Sequence, residues 1–211
     1  MAPTSTATDN TLILRQGSCG YGPLFANTSQ GYNYVGLPTN HPLVSKSAQH
    51  GCGLCLEGGC NPSLASILVT VVDSCAGLCR GTDINLPRRA FQQLGQQALG
   101  RLNVTYTTSP CQPSGNIIVH VDQFRLTQGG YLRLSLKNVG GLGGFVTVAL
   151  GTTGSRVSKN MTNSFGAWWE LSLLPTLPYD LMVADALGNQ LTIGSAITTS
   201  MLGDVPSAFQ M

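Results

Sequence analysis

The chain has 211 residues, of which 42% are hydrophobic and 9% are charged, and its formal net charge is +2. This length favours two domains of about 100 residues each, and no apolar run approaches the ~18 residues that a membrane span needs. The few basic residues are scattered, which excludes the electrostatic surface for nucleic acid or an anionic membrane and favours a neutral partner.

Eight segments alternate or run apolar between turn-forming residues, which predicts β-strands. They are residues 66–73, 102–108, 116–124, 131–139, 144–151, 167–174, 179–186 and 189–197. One helix is predicted over residues 87–100, because Ala90, Phe91, Leu94 and Ala98 fall on one face. The chain is therefore expected to be mainly β, with a small barrel and one helix followed by an antiparallel sandwich.

The first residues, MAPTSTATDNT, lack the basic and apolar regions of a signal peptide, so we expect the chain to carry none. Three acceptor sequons begin at Asn27, Asn103 and Asn160 and are candidate glycosylation sites. Together with the low charge, they are compatible with a secreted, extracellular protein.

All seven cysteines lie in the first 111 residues, namely Cys19, Cys52, Cys55, Cys60, Cys75, Cys79 and Cys111. This break in composition predicts two domains, residues 1–114 and 115–211. Cys52 and Cys55 with Cys75 and Cys79 have a spacing that could hold zinc, but such a site leaves the other three cysteines unexplained. The low charge and the sequons favour disulfides, with one thiol left free and no metal or cofactor.

Seven motifs, taken in their order and approximate spacing, together span nearly the whole chain. They are CGYG (19–22), GCGLC (51–55), VTVVDSC (69–75), INLPRRAF (84–91), SPC (109–111), LKNVGGLGGF (136–145) and MTNSFGAWWE (161–170). The chain thus resembles the expansin family. The resemblance implies a six-stranded double-psi β-barrel, related to family-45 endoglucanases and barwin, followed by an immunoglobulin-like β-sandwich that binds polysaccharide.

The resemblance also implies the function and the cysteine pairing. Expansins loosen cell walls without measurable hydrolysis, so the implied partner is a cell-wall polysaccharide such as cellulose, xyloglucan or a related β-glucan, bound by a monomer. The implied disulfides are Cys19 to Cys52 and Cys55 to Cys111, with Cys75 and Cys79 as a local pair. By the same mapping Cys60 is the free thiol, because residues 61–70, where its usual partner in the family lies, hold no cysteine.

Acidic residues in the barrel groove are the candidates for chemistry. Inverting glycosidases need two carboxyls, one as acid and one as base. Asp73 matches the acid that the family carries, whereas the family's second Asp is replaced by Asn85, with Asp83 two residues earlier on the same face of an extended chain. Either Asp83 substitutes or the role is lost. The family's N-terminal groove element is not recognisable here, although Asp9 or Asn10 lies near its usual Asp.

Four aromatic residues are the candidate sugar-binding surface, since aromatic faces can lie flat under pyranose rings. Tyr131 and Phe165 match the two platform positions of the family, and Tyr21 of the CGYG motif joins the predicted substrate-binding set. Trp168 and Trp169 are neighbours on a strand and point to opposite sides, and the spacing to Phe165 predicts that Trp169 is in the core and Trp168 is exposed. His41, His50 and His120 have no metal-ligand spacing and are interpreted as structural or surface residues.

With one clear acid and no obvious base, we favour wedge-like binding that disrupts hydrogen bonds between glucans over hydrolysis. Two alternatives stay open at the level of sequence. An endo-β-1,4-glucanase would release reducing ends, and Asn85 speaks against it. A barwin-like structural protein would bind wall glycans without loosening them.

Overall fold

The computed structural model describes residues 4–9, 17–22, 24, 33–46, 49–60, 66–75, 77 and 79–210, with residues 4–9 described by their backbone. Six strands form a closed barrel in the order β1-β5-β2-β4-β3-β6. They are β1 Thr4–Asp9, β2 Tyr34–Leu37, β3 Cys55–Gly59, β4 Ile67–Ser74, β5 Ile84–Leu86 and β6 Arg101–Ser109. Strand β1 is parallel to β5 and β2 is parallel to β4, and the other neighbours are antiparallel.

The interior of the barrel is filled by every second side chain of its strands. In β4, Ile67, Val69 and Val71 point into the core, where they pack with apolar residues of β2, β3, β5 and β6. The intervening residues of β4 are half-buried, apart from Val72, which joins a second apolar cluster outside the barrel. Because side chains alternate with a period of two, one face of β4 builds the core and the other is left for contacts with the rest of the chain.

Two short α-helices accompany the barrel, α1 Pro42–Lys46 and α2 Arg88–Leu94, and a 3-10 turn follows at Gln97–Leu99. The helix predicted over residues 87–100 is therefore too long, and α1 was not predicted. Helix α2 ends because Gly95 is extended and lies so close to β6 that a side chain there would come within 2.9 Å of Leu102. Ala90 and Phe91 are buried as expected, whereas Ala98 is exposed.

Nine strands form two antiparallel sheets in the second part of the chain. The four-stranded sheet has the order β10-β9-β13-β14, and the five-stranded sheet has the order β11-β12-β8-β7-β15. Their strands are β7 Ile118–Arg125, β8 Tyr131–Lys137, β9 Thr147–Thr152, β10 Ser158–Asn160, β11 Thr162–Phe165, β12 Trp168–Ser172, β13 Tyr179–Ala184, β14 Gln190–Ile197 and β15 Gly203–Pro206. Apolar residues from both sheets, including Trp169, form one core between them.

The predicted fold class, a mainly β chain with a six-stranded barrel followed by a sandwich, is confirmed. All eight predicted strands are present, and the seven that were missed have only three to six residues each. Short strands contain few alternating positions, which weakens their signal in the sequence. The last barrel strand ends at Ser109 and the first sandwich strand begins at Ile118, and a division of the chain at residue 114 stays a prediction.

No helix in the described part of the chain is long and apolar enough to cross a membrane.

Three disulfides link Cys19 to Cys52, Cys55 to Cys111 and Cys75 to Cys79, which are the pairs that the family resemblance implies. All four cysteines of the alternative zinc site are therefore engaged in disulfides. Cys60 is the free cysteine of the described residues. It is half-buried, its thiol donates to the carbonyl of Leu94 at 3.4 Å, and burial raises its pKa.

Non-reducing peptide mapping should recover these three linked pairs and one alkylated cysteine, Cys60. Because its thiol is half-buried with a raised pKa, alkylation should be slow in the folded protein and fast after denaturation. Recovery of seven alkylated cysteines without reduction would contradict the disulfide assignment.

Candidate functional site

Asp73 lies at the end of β4, where this strand leaves the barrel core. Its Oδ1 accepts hydrogen bonds from the backbone N–H groups of Ser18 and Ser74, each at 2.8 Å. The carboxylate is half-buried and its orientation is set by these two donors. The loop that contains Ser18 is thereby attached to the predicted acid.

Asn85 lies in the same row of the barrel as Asp73. Gly36 on β2 pairs with Asp73 of β4 on one side and with Asn85 of β5 on the other. Neighbouring strands lie about 4.8 Å apart, so the two backbones are roughly 10 Å apart across a residue without a side chain. Asn85 is 1% exposed. The position that would carry a second acid therefore presents a buried amide, which cannot transfer a proton.

Asp83 takes part in a turn. Its Oδ2 accepts a hydrogen bond from the N–H of Arg80 at 3.1 Å, and its own N–H donates to the carbonyl of Arg80 at 3.0 Å. These bonds close the turn that leads into β5. The carboxylate thus has a structural role, and its substitution for the family's second Asp stays a prediction.

Tyr131, Trp168 and Phe165 lie on the outer face of the five-stranded sheet. In β8 the residues Leu132 and Leu134 are buried in the core, so Tyr131 lies on the opposite face. Trp168 pairs with Phe165 on β11, and Ser172, at the other end of β12, pairs with Tyr131. With about 3.3 Å per residue, the rings are spread over roughly 15 Å of the sheet. We call these three residues the aromatic row.

Each ring of the aromatic row contacts a planar nitrogen-containing side chain. The guanidinium of Arg125 lies 5.2 Å from the ring centre of Tyr131, and that of Arg133 lies 4.4 Å from Trp168. The third contact is a stack of His50, from the barrel, on Phe165, with ring centres 5.4 Å apart. Such contacts orient the rings and restrict their rotamers.

Charges on this face are largely paired. Arg133 Nε donates a hydrogen bond to Asp122 Oδ2 at 2.6 Å, and Arg133 Nη1 lies 3.8 Å from Glu170 Oε1. Burial is the largest cause of a raised pKa at Tyr131, and the negative charge of Glu170 contributes, so this hydroxyl stays neutral. The centre of the row offers hydrogen-bonding groups with little net charge, which suits the hydroxyl groups of an uncharged sugar.

The four predicted binding residues differ in how much of each side chain is exposed. Phe165 is 48% exposed, whereas Tyr131 and Trp168 are half-buried. Trp168 is therefore less exposed than predicted, because its indole N–H donates to the carbonyl of Gly20 in the barrel at 2.8 Å. Trp169 is in the core, as expected.

Tyr21 differs from the expectation for a binding residue. Only 6% of it is exposed, and it lines a cavity of about 480 Å³ between barrel and sandwich instead of the outer face. Burial raises the pKa of its hydroxyl well above the ordinary value. Its side chain packs with Cys19, Val72 and Ala167, which is a structural role.

The other candidate residues are distributed around the fold. Asn103 on β6 and Asn160 on β10 are exposed, and their glycosylation stays a prediction. Asn27 and Asn10 lie outside the described residues, and Asp9 ends β1. The histidines are mainly structural. His41 is buried and forms a hydrogen bond with the hydroxyl of Tyr106. His120 Nδ1 forms a hydrogen bond with Asp204 Oδ1 at 2.7 Å, and His50 forms the stack described above.

Sequence reasoning missed Arg125, Arg133, His50 and Ser18. The two arginines alternate with core residues on their strands, so their outward direction was predictable from the pattern. His50 and Ser18 carried no such signal, because each meets its partner across a long stretch of chain, 115 residues from His50 to Phe165 and 55 from Ser18 to Asp73.

No protein-family model matches the chain. The chain is 30% identical to Expansin-A7 of Arabidopsis thaliana over 173 residues, which are 73% of the chain and 62% of that relative. It is 26% identical to Expansin-A32 of Oryza sativa subsp. japonica over 196 residues, covering 80% of the chain and 68% of the relative. The chain therefore spans about three fifths to two thirds of the length of these relatives.

A bacterial crystal structure shares the fold. The expansin of Clavibacter michiganensis, solved as a mutant in complex with cellohexaose, superposes with a TM-score of 0.78 at 20% identity and covers 100% of this chain and 98% of its own. The same protein without ligand superposes equally well, with a TM-score of 0.78 at 19% identity. The likeness thus extends over the barrel and the sandwich together.

Proposed function

Because the chain belongs to the expansin family, we propose that it binds a cell-wall β-glucan and loosens glucan networks without hydrolysing them. The observation that carries the proposal is the aromatic row on the outer face of the sandwich, which leads through the Trp168 contact to the loop that holds Asp73. A glucan chain on this row would extend towards the barrel. The complex of the bacterial expansin with cellohexaose supports a β-1,4-linked glucan such as cellulose, or the related xyloglucan, as the partner.

We expect Tyr131 and Phe165 to contribute most of the binding free energy. Stacking on a pyranose ring buries apolar C–H groups against the ring face and desolvates few hydroxyls. Because Arg125 and His50 hold the two rings, little rotamer entropy is lost when a sugar binds. The paired charges of Arg133, Asp122 and Glu170 can donate to and accept from sugar hydroxyls between the rings.

The absence of hydrolysis is proposed from the groove. Inversion needs a second carboxyl to activate water. Across Gly36 from Asp73 lies the amide of Asn85, and Asp83 is engaged in the turn with Arg80. Asp73 would then act by hydrogen bonding to a glucan hydroxyl, in competition with the bonds between neighbouring glucan chains. A secreted protein that acts in the cell wall is consistent with the disulfides and the exposed sequon residues.

The proposal is tested by three assays on the purified protein. Pull-down on amorphous cellulose measures binding, extension of heat-inactivated walls under constant load measures loosening, and a reducing-end assay measures hydrolysis. We expect binding and extension without release of reducing ends. Reducing ends that accumulate in proportion to protein would identify a glucanase, and binding without extension would identify a structural wall protein.

Binding to cellulose should depend little on salt. A neutral glucan has no condensed counterions to release, and Arg133, Asp122 and Glu170 near the row are already paired within the protein. The fraction bound at ~1 M NaCl should be similar to that at low salt, whereas ionic attraction would be screened. Elution of most of the protein by salt would show that charge, not stacking, holds the ligand.

A further inference from the structure

Two barrel loops, residues 17–22 and 49–53, contact the sandwich, and the Cys19–Cys52 disulfide links them to each other. In the first loop, the carbonyl of Gly20 accepts two hydrogen bonds, from Ser135 Oγ at 2.9 Å and from Trp168 Nε1 at 2.8 Å. The N–H of Ala167 donates to the carbonyl of Cys19 at 2.9 Å. Ser135 and Ala167 are 0% exposed, so these bonds are shielded from water. We call these contacts the joint.

The glycines of the CGYG motif make this approach possible. Gly20 has a φ of +83° and Gly22 a φ of +67°, values that favour glycine. A Cβ at Gly20 would overlap the indole nitrogen of Trp168, and one at Gly22 would overlap the imidazole of His120. The motif is therefore shaped to fit the outer face of the sandwich sheet.

The second loop adds an independent attachment. Gln49 Oε1 accepts a hydrogen bond from the N–H of Phe145 at 2.8 Å, and Gln49 is 5% exposed. A Cβ at Gly143 would overlap the carbonyl oxygen of Gly53, so the two backbones are in direct contact. With both loops attached and linked by a disulfide, the barrel has little freedom to rotate against the sandwich.

The first loop is also the one that holds Asp73. Ser18, two residues before Gly20, donates its N–H to the carboxylate of Asp73, and the N–H of Cys19 donates to the carbonyl of Val72 at 3.2 Å. A short covalent path, residues 18–20, thus connects the hydrogen bond of Trp168 with the hydrogen bonds of β4. Displacement of Gly20 would change the position of Asp73 relative to the aromatic row.

We propose that Trp168 is a positioning residue whose indole N–H, through Gly20 and Ser18, sets Asp73 relative to Tyr131 and Phe165, and that it is not a main sugar-binding ring. The indole is fixed by the Gly20 carbonyl at its nitrogen and by Arg133 over its ring. The inference rests on the proposed function for its consequence in loosening, but the contact itself can be tested without any glucan.

Trp168→Phe tests the inference, because it keeps an aromatic ring and removes the N–H. Amide hydrogen exchange should become at least about tenfold faster at Ser18 and Ala167, as expected for the loss of one hydrogen bond of about 1.4 kcal/mol. Exchange at Leu132 and Leu134, in the core of the same sheet, should not change. Binding to cellulose should stay within about threefold of the wild type, and wall extension at equal bound protein should fall about fivefold or more.

Tyr131→Ala is the matched control, since Tyr131 lies on the same face and pairs with Ser172 at the end of β12 away from Trp168. It should weaken binding without faster exchange at Ser18. If Trp168→Phe weakens binding as much as Tyr131→Ala and leaves exchange at Ser18 within about twofold, Trp168 is a sugar-binding ring and the inference is wrong.

Ser135→Ala keeps the test valid if Trp168→Phe does not fold, because it removes the other donor to Gly20. It should also speed exchange at Ser18, and unchanged exchange there would overturn the inference. A wild-type protein that neither binds nor extends walls would instead reject the proposed function. The exchange measurements would still decide whether Trp168 positions the loop.

Discussion

Replacing Asp73 with asparagine is expected to abolish wall extension while leaving binding to insoluble glucan within about twofold of the wild type. The carboxylate accepts from Ser18 and Ser74 with one oxygen, and we propose that the other side of the group accepts a glucan hydroxyl. An amide has one acceptor oxygen and a donating NH2, so it cannot satisfy all of these donors. Binding should persist because the aromatic row is on a different sheet. Extension at constant load and pull-down on the same preparation measure the two effects.

Asp83→Asn is the control for this substitution. The amide oxygen of asparagine can still accept from the N–H of Arg80, so the turn before β5 should survive and extension should remain near the wild-type rate. If Asp83→Asn also abolishes extension, Asp83 fills the second acidic position after all. Full activity of Asp73→Asn would show that the groove does not act through this carboxylate.

Replacing Tyr131 and Phe165 together with alanine is expected to weaken binding to insoluble glucan by about 3 kcal/mol, roughly a hundredfold. Each ring–sugar contact is estimated at about 1 to 2 kcal/mol by analogy with other aromatic contacts. The two rings lie at opposite ends of the aromatic row, so their contributions should be nearly additive. Binding isotherms on amorphous cellulose measure the loss, with circular dichroism as the check on folding.

His50→Ala separates the sugar contact of the Phe165 ring from the support that the ring receives, because His50 stacks on Phe165 from the barrel. The variant keeps the sugar-binding ring and removes its support, so binding should weaken by less than with Phe165→Ala. A folded Tyr131/Phe165 double variant that binds as well as the wild type would reject the outer face of the sandwich as the binding surface.

The acidic site shows where sequence reasoning was sufficient and where it was not. Asp73 and the replacement at Asn85 were identified through the family resemblance, because both lie in motifs that are contiguous in the chain. Their alignment across Gly36 depends on the pairing of three strands that are separated in the chain, and no local pattern encodes that register. The turn that engages Asp83 was missed for the same reason as α1, since both are short and lack periodicity.

The outer face of the sandwich also shows what sequence reasoning could and could not establish. Alternation in β12 was enough to place Trp169 in the core and Trp168 on the outer face, and the family resemblance identified Tyr131. Alternation describes a strand and its own sheet, so it could not show that another part of the chain covers that face. The stack of His50 on Phe165 and the hydrogen bond from Trp168 to Gly20 both come from the barrel. Tyr21 is buried for the same reason, because it packs with Ala167 of the sandwich.

Sequence alone determined the fold class, the order of barrel and sandwich, the long strands and the family, because each depends on local periodicity or on motifs that are contiguous in the chain. Only the tertiary structure decided that the CGYG glycines fit against Trp168 and His120, and that Asn85 lies level with Asp73. Asp73 and Asn85 are aligned through Gly36, which lies 37 and 49 positions before them. The glycine contacts join residues 98 positions apart, for Gly22 and His120, and 148 apart, for Gly20 and Trp168. Their geometry follows from how two packed units meet, which depends on the shape of both surfaces and not on any single stretch of sequence.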